Sequence, residues 1–144
     1  MKVHVVASAI AIAICSTVAN AQSLKDKEYF ASQEKYLADK VTFANQKCEG
    51  NVAAKFDWST PPTPDERRTY SAYGYCEAVL DAMRRVCEMS PAGKDAIKQK
   101  IKSVTCGFGP QRSIALKDGA IDYKINYSSS NDVDFVFEYL QNNL

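Results

Sequence analysis

The stretch "YCEAVLDAMRRVC", Tyr75 to Cys87, sets two cysteines eleven residues apart in a run with helical periodicity, and this restricts the fold more than any other feature. At 100° per residue, Cys87 lies within roughly 20° of Cys76 around the helix and about 16 Å further along its axis. A disulfide needs Cα atoms within about 7 Å. The two cysteines therefore cannot bond to each other, and one helix must be stapled to two other elements.

Whether these cysteines are oxidised depends on the compartment. The chain opens "MKVHVVASAIAIAICSTVANAQ": a lysine at position 2, an apolar run from Val5 to Cys15, then Ala19-Asn20-Ala21, a small-x-small cleavage pattern. This predicts a signal peptide over residues 1–21, cleaved after Ala21, and a periplasmic or secreted mature chain. An uncleaved anchor is the alternative, but the run is far short of the roughly 20 residues that span a bilayer. A lipoprotein reading through Cys15 conflicts with Ile14, where a small residue is needed. No stable membrane insertion is expected after cleavage.

Removing residues 1–21 also removes His4, the only histidine. Serine triads, Cys-His pairs and histidine-bearing zinc sites are then unavailable to the mature chain. Lys2 leaves as well, so 17 basic and 17 acidic side chains remain. A net charge near zero gives the molecule no overall attraction to nucleic acid. About 123 residues form one domain, 22–144, long enough to bury a core.

Cys48, Cys76, Cys87 and Cys106 remain, and an even number in an exported chain implies two disulfides. Zinc competes weakly, because there is no C-x-x-C pair. With Cys76–Cys87 excluded, chain proximity favours Cys48–Cys76 with Cys87–Cys106 over the crossed pairing.

The elements around these anchors follow from periodicity. Phe30, Leu37, Val41, Ala44 and Cys48 recur at helical spacing. "VAAKFDW" alternates as a strand with Val52, Ala54, Phe56 and Trp58 on its buried side. "TPDE" opens a long helix, with Thr63 as N-cap, Pro64 in the first position and Glu66 completing a capping box. Its stripe holds Ala72, Tyr73, Cys76, Val79, Leu80, Met83, Val86 and Cys87. Gly74 within it costs roughly 1 kcal/mol against alanine and predicts a close backbone neighbour. Ser90-Pro91 caps a further helix.

Three strands follow, "SVTCGF", "RSIALK" and "AIDYKINY", the last two joined by Asp118-Gly119, a preferred hairpin turn that pairs Leu116 with Ile121 and Ile114 with Tyr123. A final helix aligns Val133, Val136, Phe137, Leu140 and Leu144. The expected fold is α+β, in the order α-β-α-α-β-β-β-α, with an antiparallel sheet of about four strands covered on one face by helices. Lys55, Asp57, Ser103, Thr105, Ser113, Lys117, Asp122, Lys124 and Asn126 occupy the other face, wet or covered by a partner.

Three constellations compete for function. Glu66, Glu77, Asp81 and Glu88 share a flank of the long helix, and paired carboxylates can cleave glycans, although Arg84 and Arg85 stand at contact spacing from Asp81. Lys94, Lys98 and Lys102 form a basic stripe, commonly a solvated face. Trp58, Tyr70 and Tyr75 surround the "STPPTP" loop, where aromatic side chains make either a binding hot spot or packing. No catalytic, cofactor or metal motif stands out.

"GYC" with Cys87, "KDAIKQKIKSVTC", "LKDGAIDYKIN" and "NDVDFVFEYLQNNL" together resemble a group of small exported bacterial proteins of unassigned function, over roughly the last half of the chain. The resemblance implies export and disulfides and supplies no site. The function expected is a non-enzymatic binding protein, an inhibitor or immunity-type partner of a periplasmic or secreted hydrolase or toxin. Trp58, Tyr70, Tyr75, Lys94, Lys98 and Lys102 are its candidate contact residues. A carboxylate-dependent cell-wall or glycan hydrolase using Glu77 or Asp81 is the alternative, and a structural envelope component is the third.

Overall fold

Ser23 opens the first helix by accepting a hydrogen bond from the Asp26 N–H at 3.2 Å, and Asp26 itself places a negative charge in the first turn, where the helix dipole favours it. The computed structural model describes residues 23–144, so the expected signal peptide lies outside the described residues. Helix α1 (Leu24–Cys48) ends where Glu49 takes a left-handed conformation. The chain then turns into strand β1 (Ala53–Phe56), held by the Asn45 amide, which accepts from Val52 N–H and donates to Val52 C=O, both at 2.8 Å.

The Thr63 capping box forms as expected, with Pro64 in the first turn. The helix it opens is short, however: α2 (Pro64–Thr69) stops at Tyr70, and a separate helix α3 (Ala72–Met89) begins after Ser71. The expected single helix is therefore two. The reason lies in α1, where buried Gln33 accepts from the Tyr73 N–H at 3.0 Å and from the Ser71 hydroxyl at 3.4 Å. A side chain from another helix thus does the capping that Ser71, the N-cap residue, does not do for itself.

Ser90 caps α4 (Pro91–Lys100) as expected, accepting from Gly93 N–H at 3.0 Å. Gly93, not Gly74, is where backbones approach: a Cβ there would lie 2.4 Å from the Val86 carbonyl, whereas a Cβ at Gly74 would meet only the Ser71 hydroxyl at 3.9 Å.

Strands β2 (Ser103–Phe108), β3 (Ser113–Lys117) and β4 (Ala120–Ile125) and helix α5 (Asp132–Asn143) complete the chain. The α+β class and the single helical layer hold. The sheet, in the order β1-β2-β4-β3, is mixed rather than antiparallel. β1 and β2 run parallel, as do β2 and β4, and only the β3-β4 hairpin is antiparallel. A parallel pair needs a long crossover, and α2, α3 and α4 supply one between β1 and β2. The hairpin docks by β4, whose Ile121, Tyr123 and Ile125 are all buried, leaving the more polar β3 at the edge. Its register is the expected one, Leu116 opposite Ile121 and Ile114 opposite Tyr123, with positive φ at Asp118 and Gly119.

The disulfides are Cys48–Cys87 and Cys76–Cys106, the crossed pairing that chain proximity disfavoured. Because β1 reverses the chain between α1 and α3, the two helices run parallel: Gln33 meets Tyr73, Lys40 pairs with Glu77, and Cys48 reaches Cys87. β2 then runs back beneath α3 and brings Cys106 to Cys76. All four sulfurs sit in the core with Leu37, Val79, Leu80, Met83, Val104, Ile121 and Val136.

Peptide mapping without reduction should give these two links and no free thiol. Spanning 39 and 30 residues, each link stabilises by roughly 4 kcal/mol on the chain-entropy model, so paired Cys→Ala replacement of either should lower the denaturation midpoint sharply. Gln33→Ala, by uncapping α3, should cost about 1–2 kcal/mol in denaturant melts. Gln33→Glu, which keeps an acceptor, should recover part of that loss.

Candidate functional site

The C-terminal ends of β1, β2 and β4 carry an aromatic rim. In parallel sheets this edge, where the loops after the strands converge, is the usual place for ligands. Trp58 follows β1 and packs its ring 4.5 Å from Phe30 and from Phe56 and 5.5 Å from Phe108. Its indole N–H donates to Glu34 at 2.9 Å. Trp58 is therefore half-buried and fully engaged, a packing residue rather than an anchor.

Tyr127, which follows β4, joins this group to a second one. Its ring lies 5.9 Å from Phe108 and stacks on Tyr70 at 4.7 Å with an interplanar angle of 11°. Tyr75 stands edge-on to both tyrosines and donates its hydroxyl to the Tyr127 carbonyl at 3.4 Å. Tyr70 is 38% exposed and Tyr75 is half-buried, so the pair forms a corner with one open ring face. Tyr127 was not expected here. The alternation Ile121, Tyr123, Ile125, Tyr127 carried through the end of β4 would have found it.

This corner borders a cleft of about 660 Å³ between the start of α3 and the start of α5, lined by Tyr70, Ser71, Gly74, Tyr75, Asn131 and Asp132 among others. Gly74 has no packing reason to be a glycine and opens the wall instead. On the other side of Tyr127 a smaller groove of about 320 Å³ runs between Pro61-Pro62 and Phe108 to Pro110.

A charge network fixes the far wall of the cleft. Asp132 accepts from the hydroxyl of fully buried Tyr123 and from Arg112 at 3.3 Å, and Arg112 also donates to the Ser130 carbonyl at 2.6 Å while its guanidinium lies 4.1 Å over the Phe135 ring. These residues sit in three different elements, so no local motif announces them.

The remaining candidates separate. Lys94 bonds to Glu49 at 2.8 Å near Cys87, Lys98 is exposed beside it, and Lys102 lies at the opposite edge of the sheet against Gly119. About 16 Å of α3 divides this stripe from Tyr75, so the lysines and the tyrosines are not one surface. The four carboxylates of the hydrolase alternative are likewise dispersed: Glu66 caps Thr63, Glu77 pairs with Lys40, and Asp81 and Glu88 flank Arg84 at 3.6 and 2.8 Å. Among the described residues no three acidic or cysteine side chains are grouped to hold a metal ion. Comparison with family models, with curated proteins and with solved structures gives no match to this chain.

Burial makes the tyrosine hydroxyls of the rim weaker acids. Tyr29 and Tyr127 bring their hydroxyls together in the interior, neither with a well-formed hydrogen bond, and desolvation pushes both up. Tyr75 rises through burial and then the nearby Asp132 charge, and Tyr123 rises through burial and then its bond to Asp132. Above the ordinary tyrosine value of 10.0, the unfolded chain loses these protons while the folded one keeps them, so stability falls as pH rises. In an alkaline titration read at the phenolate band, these four of the eight tyrosines should ionise together with the loss of circular dichroism rather than ahead of it.

Proposed function

We propose that the protein is an exported, non-enzymatic binding protein that docks another protein of the envelope or of the outside medium, in the manner of an inhibitor of a hydrolase or of an immunity protein against a toxin. The observation that carries it is the Tyr70–Tyr75–Tyr127 corner. A large ring is open to solvent, yet it is already ordered by stacking on one face and by an edge contact. Such an anchor loses little conformational freedom on docking, and tyrosine is among the residues that dominate interface energies.

Export is supported by the leader-like residues 1–21 with their Ala-x-Ala end and by two disulfides. Trp58 supports the corner from below, and the Lys94–Lys102 stripe contributes at most to encounter rate, fading with salt.

Affinity capture from periplasmic extract should retain a partner on the wild-type protein. Tyr70→Ala should weaken that retention by about 1 kcal/mol or more while shifting the melting temperature little, because the ring is partly exposed and its loss opens no cavity in the core. Equal capture by the variant at unchanged stability would place the interface away from the corner.

A further inference from the structure

The face of the sheet turned away from the helices is a surface in its own right. Register places twelve outward side chains in three rows across β1-β2-β4-β3: Ala53, Ser103, Ala120, Lys117; then Lys55, Thr105, Asp122, Ala115; then Asp57, Gly107, Lys124, Ser113. Most of them are exposed. Along β2 the residues are small, Ser103, Thr105 and Gly107, with β1 and β4 on either side.

The charges on those flanking strands are arranged antisymmetrically about β2. In the middle row Lys55 on β1 answers Asp122 on β4, and in the next row Asp57, one residue past β1 and bonded through its N–H to the Cys106 carbonyl at 2.8 Å, answers Lys124 on β4. A twofold axis along β2, between two copies facing each other, carries β1 of one copy over β4 of the other and keeps the rows in step. Lys55 then meets Asp122 of the second copy, and Asp57 meets Lys124, each contact occurring twice. The three small residues fall on the axis and let the sheets approach. An axis across the strands through the middle row sets Lys55 against Lys55, and one midway between the two charged rows sets Lys55 against Asp57 and Asp122 against Lys124; the exchange of Lys55 with Asp122 tells these apart, because it restores the facing pairs only about the axis along β2. Within one chain Lys124 already lies 3.2 Å from Asp122 and 3.9 Å from Asp57, whereas Lys55 makes no ion pair to the described residues.

We infer that the open sheet face is the interface of a reversible homodimer, two copies packing face to face about an axis along β2 with Lys55 opposite Asp122 and Asp57 opposite Lys124. An isologous, self-complementary patch is what a twofold dimer requires, and aligned packing of two sheets is a standard arrangement. The contact is small: three overlapping strands about 4.8 Å apart and some five residues long cover roughly 250 Å² per copy, about a third of a standard interface, with β3 of each copy projecting beyond the other. Association is therefore weak and fast. The inference does not rest on the binding role of the tyrosine corner, which lies at the C-terminal ends of the strands and off the open face.

Sedimentation equilibrium of the oxidised protein, at loading concentrations up to about 1 mM where so small a contact is populated, tests it. The wild type should show a monomer–dimer equilibrium that weakens as salt is raised. Lys55→Asp and Asp122→Lys should each weaken dimerisation at least tenfold, since each sets like charges face to face twice. The double variant K55D/D122K should return to within about threefold of wild type, because the pair is restored with its sign reversed. Circular dichroism melts verify folding of all three, and Lys55→Ala, which removes charge without reversing it, should fall between wild type and Lys55→Asp. A wild type that stays monomeric throughout, single variants that dimerise normally, or a double variant no better than the singles would each overturn the interface and leave the face to a different occupant.

Discussion

The Cys76–Cys106 bond joins the two layers of the molecule at one point: Cys76 belongs to the central helix, Cys106 to the second strand of the sheet, and neither is exposed. Everything else is arranged around the helix that carries it. α3 buries nine residues, Ala72, Cys76, Ala78, Val79, Leu80, Ala82, Met83, Val86 and Cys87, too wide an arc for one packing partner. It has α1 on one side, α5 on the other and the sheet beneath. Cys87 fixes the far end of the same helix to the end of α1. With both ends covalently held, α3 can neither slide along the sheet nor rotate, and a domain of this size acquires a rigid frame.

That rigidity determines what the aromatic edge can be. Tyr70 lies in the break between α2 and α3, a position that would be mobile if α3 were free to fray. Gln33 ends the ambiguity by accepting from the Tyr73 amide of α3 and the Ser71 hydroxyl from outside the helix, and Arg67 ties α2 back to Asp26 at 2.7 Å. The tyrosine corner is thus held from both sides by tertiary contacts. Tyr127, whose ring completes it, is positioned by the last turn of β4 and by the Asp132–Arg112–Tyr123 network behind the following loop.

Local patterns in the sequence led to correct elements wherever the decisive forces were local. The Thr63 capping box, the Ser90 cap, the Asp118-Gly119 turn with its register, and the buried stripes of α1 and α5 all depend on residues within a few positions of one another. Three features escaped because distant residues decide them. The disulfide pairing turns on whether α1 and α3 run parallel, which is set by the reversal at β1. The break at Tyr70-Ser71 is imposed by Gln33, some forty residues upstream. The parallel pairing of β1 with β2 requires recognising α2 to α4 as a single crossover. At the candidate site the same division holds: Tyr70 and Tyr75 are visible in the sequence as aromatic residues off the buried stripe and Tyr127 as the continuation of the β4 alternation, whereas Phe108 and the Asp132 network are brought there only by the topology of the sheet.

The two faces of the molecule differ in how far their polar groups are already satisfied, and this difference separates their roles. On the helical side the cleft acids are neutralised within the chain, Asp132 by Arg112 and Asp134 by Arg85 at 2.8 Å, so a partner there meets rings and uncharged side chains rather than net charge. On the sheet side Lys55 faces outward without an ion-pair partner among the described residues, and Lys124 is shared between two acids. A second copy completes that arrangement without touching the tyrosine corner. In the proposed dimer the two corners stay at the same end of the strands, one beside each helical layer, and in the proposed binding role such a pair would hold a clustered partner more strongly than either corner alone. On the two proposals together, the small residues along β2 let two copies meet closely and the exposed ring of Tyr70 gives each copy an anchor.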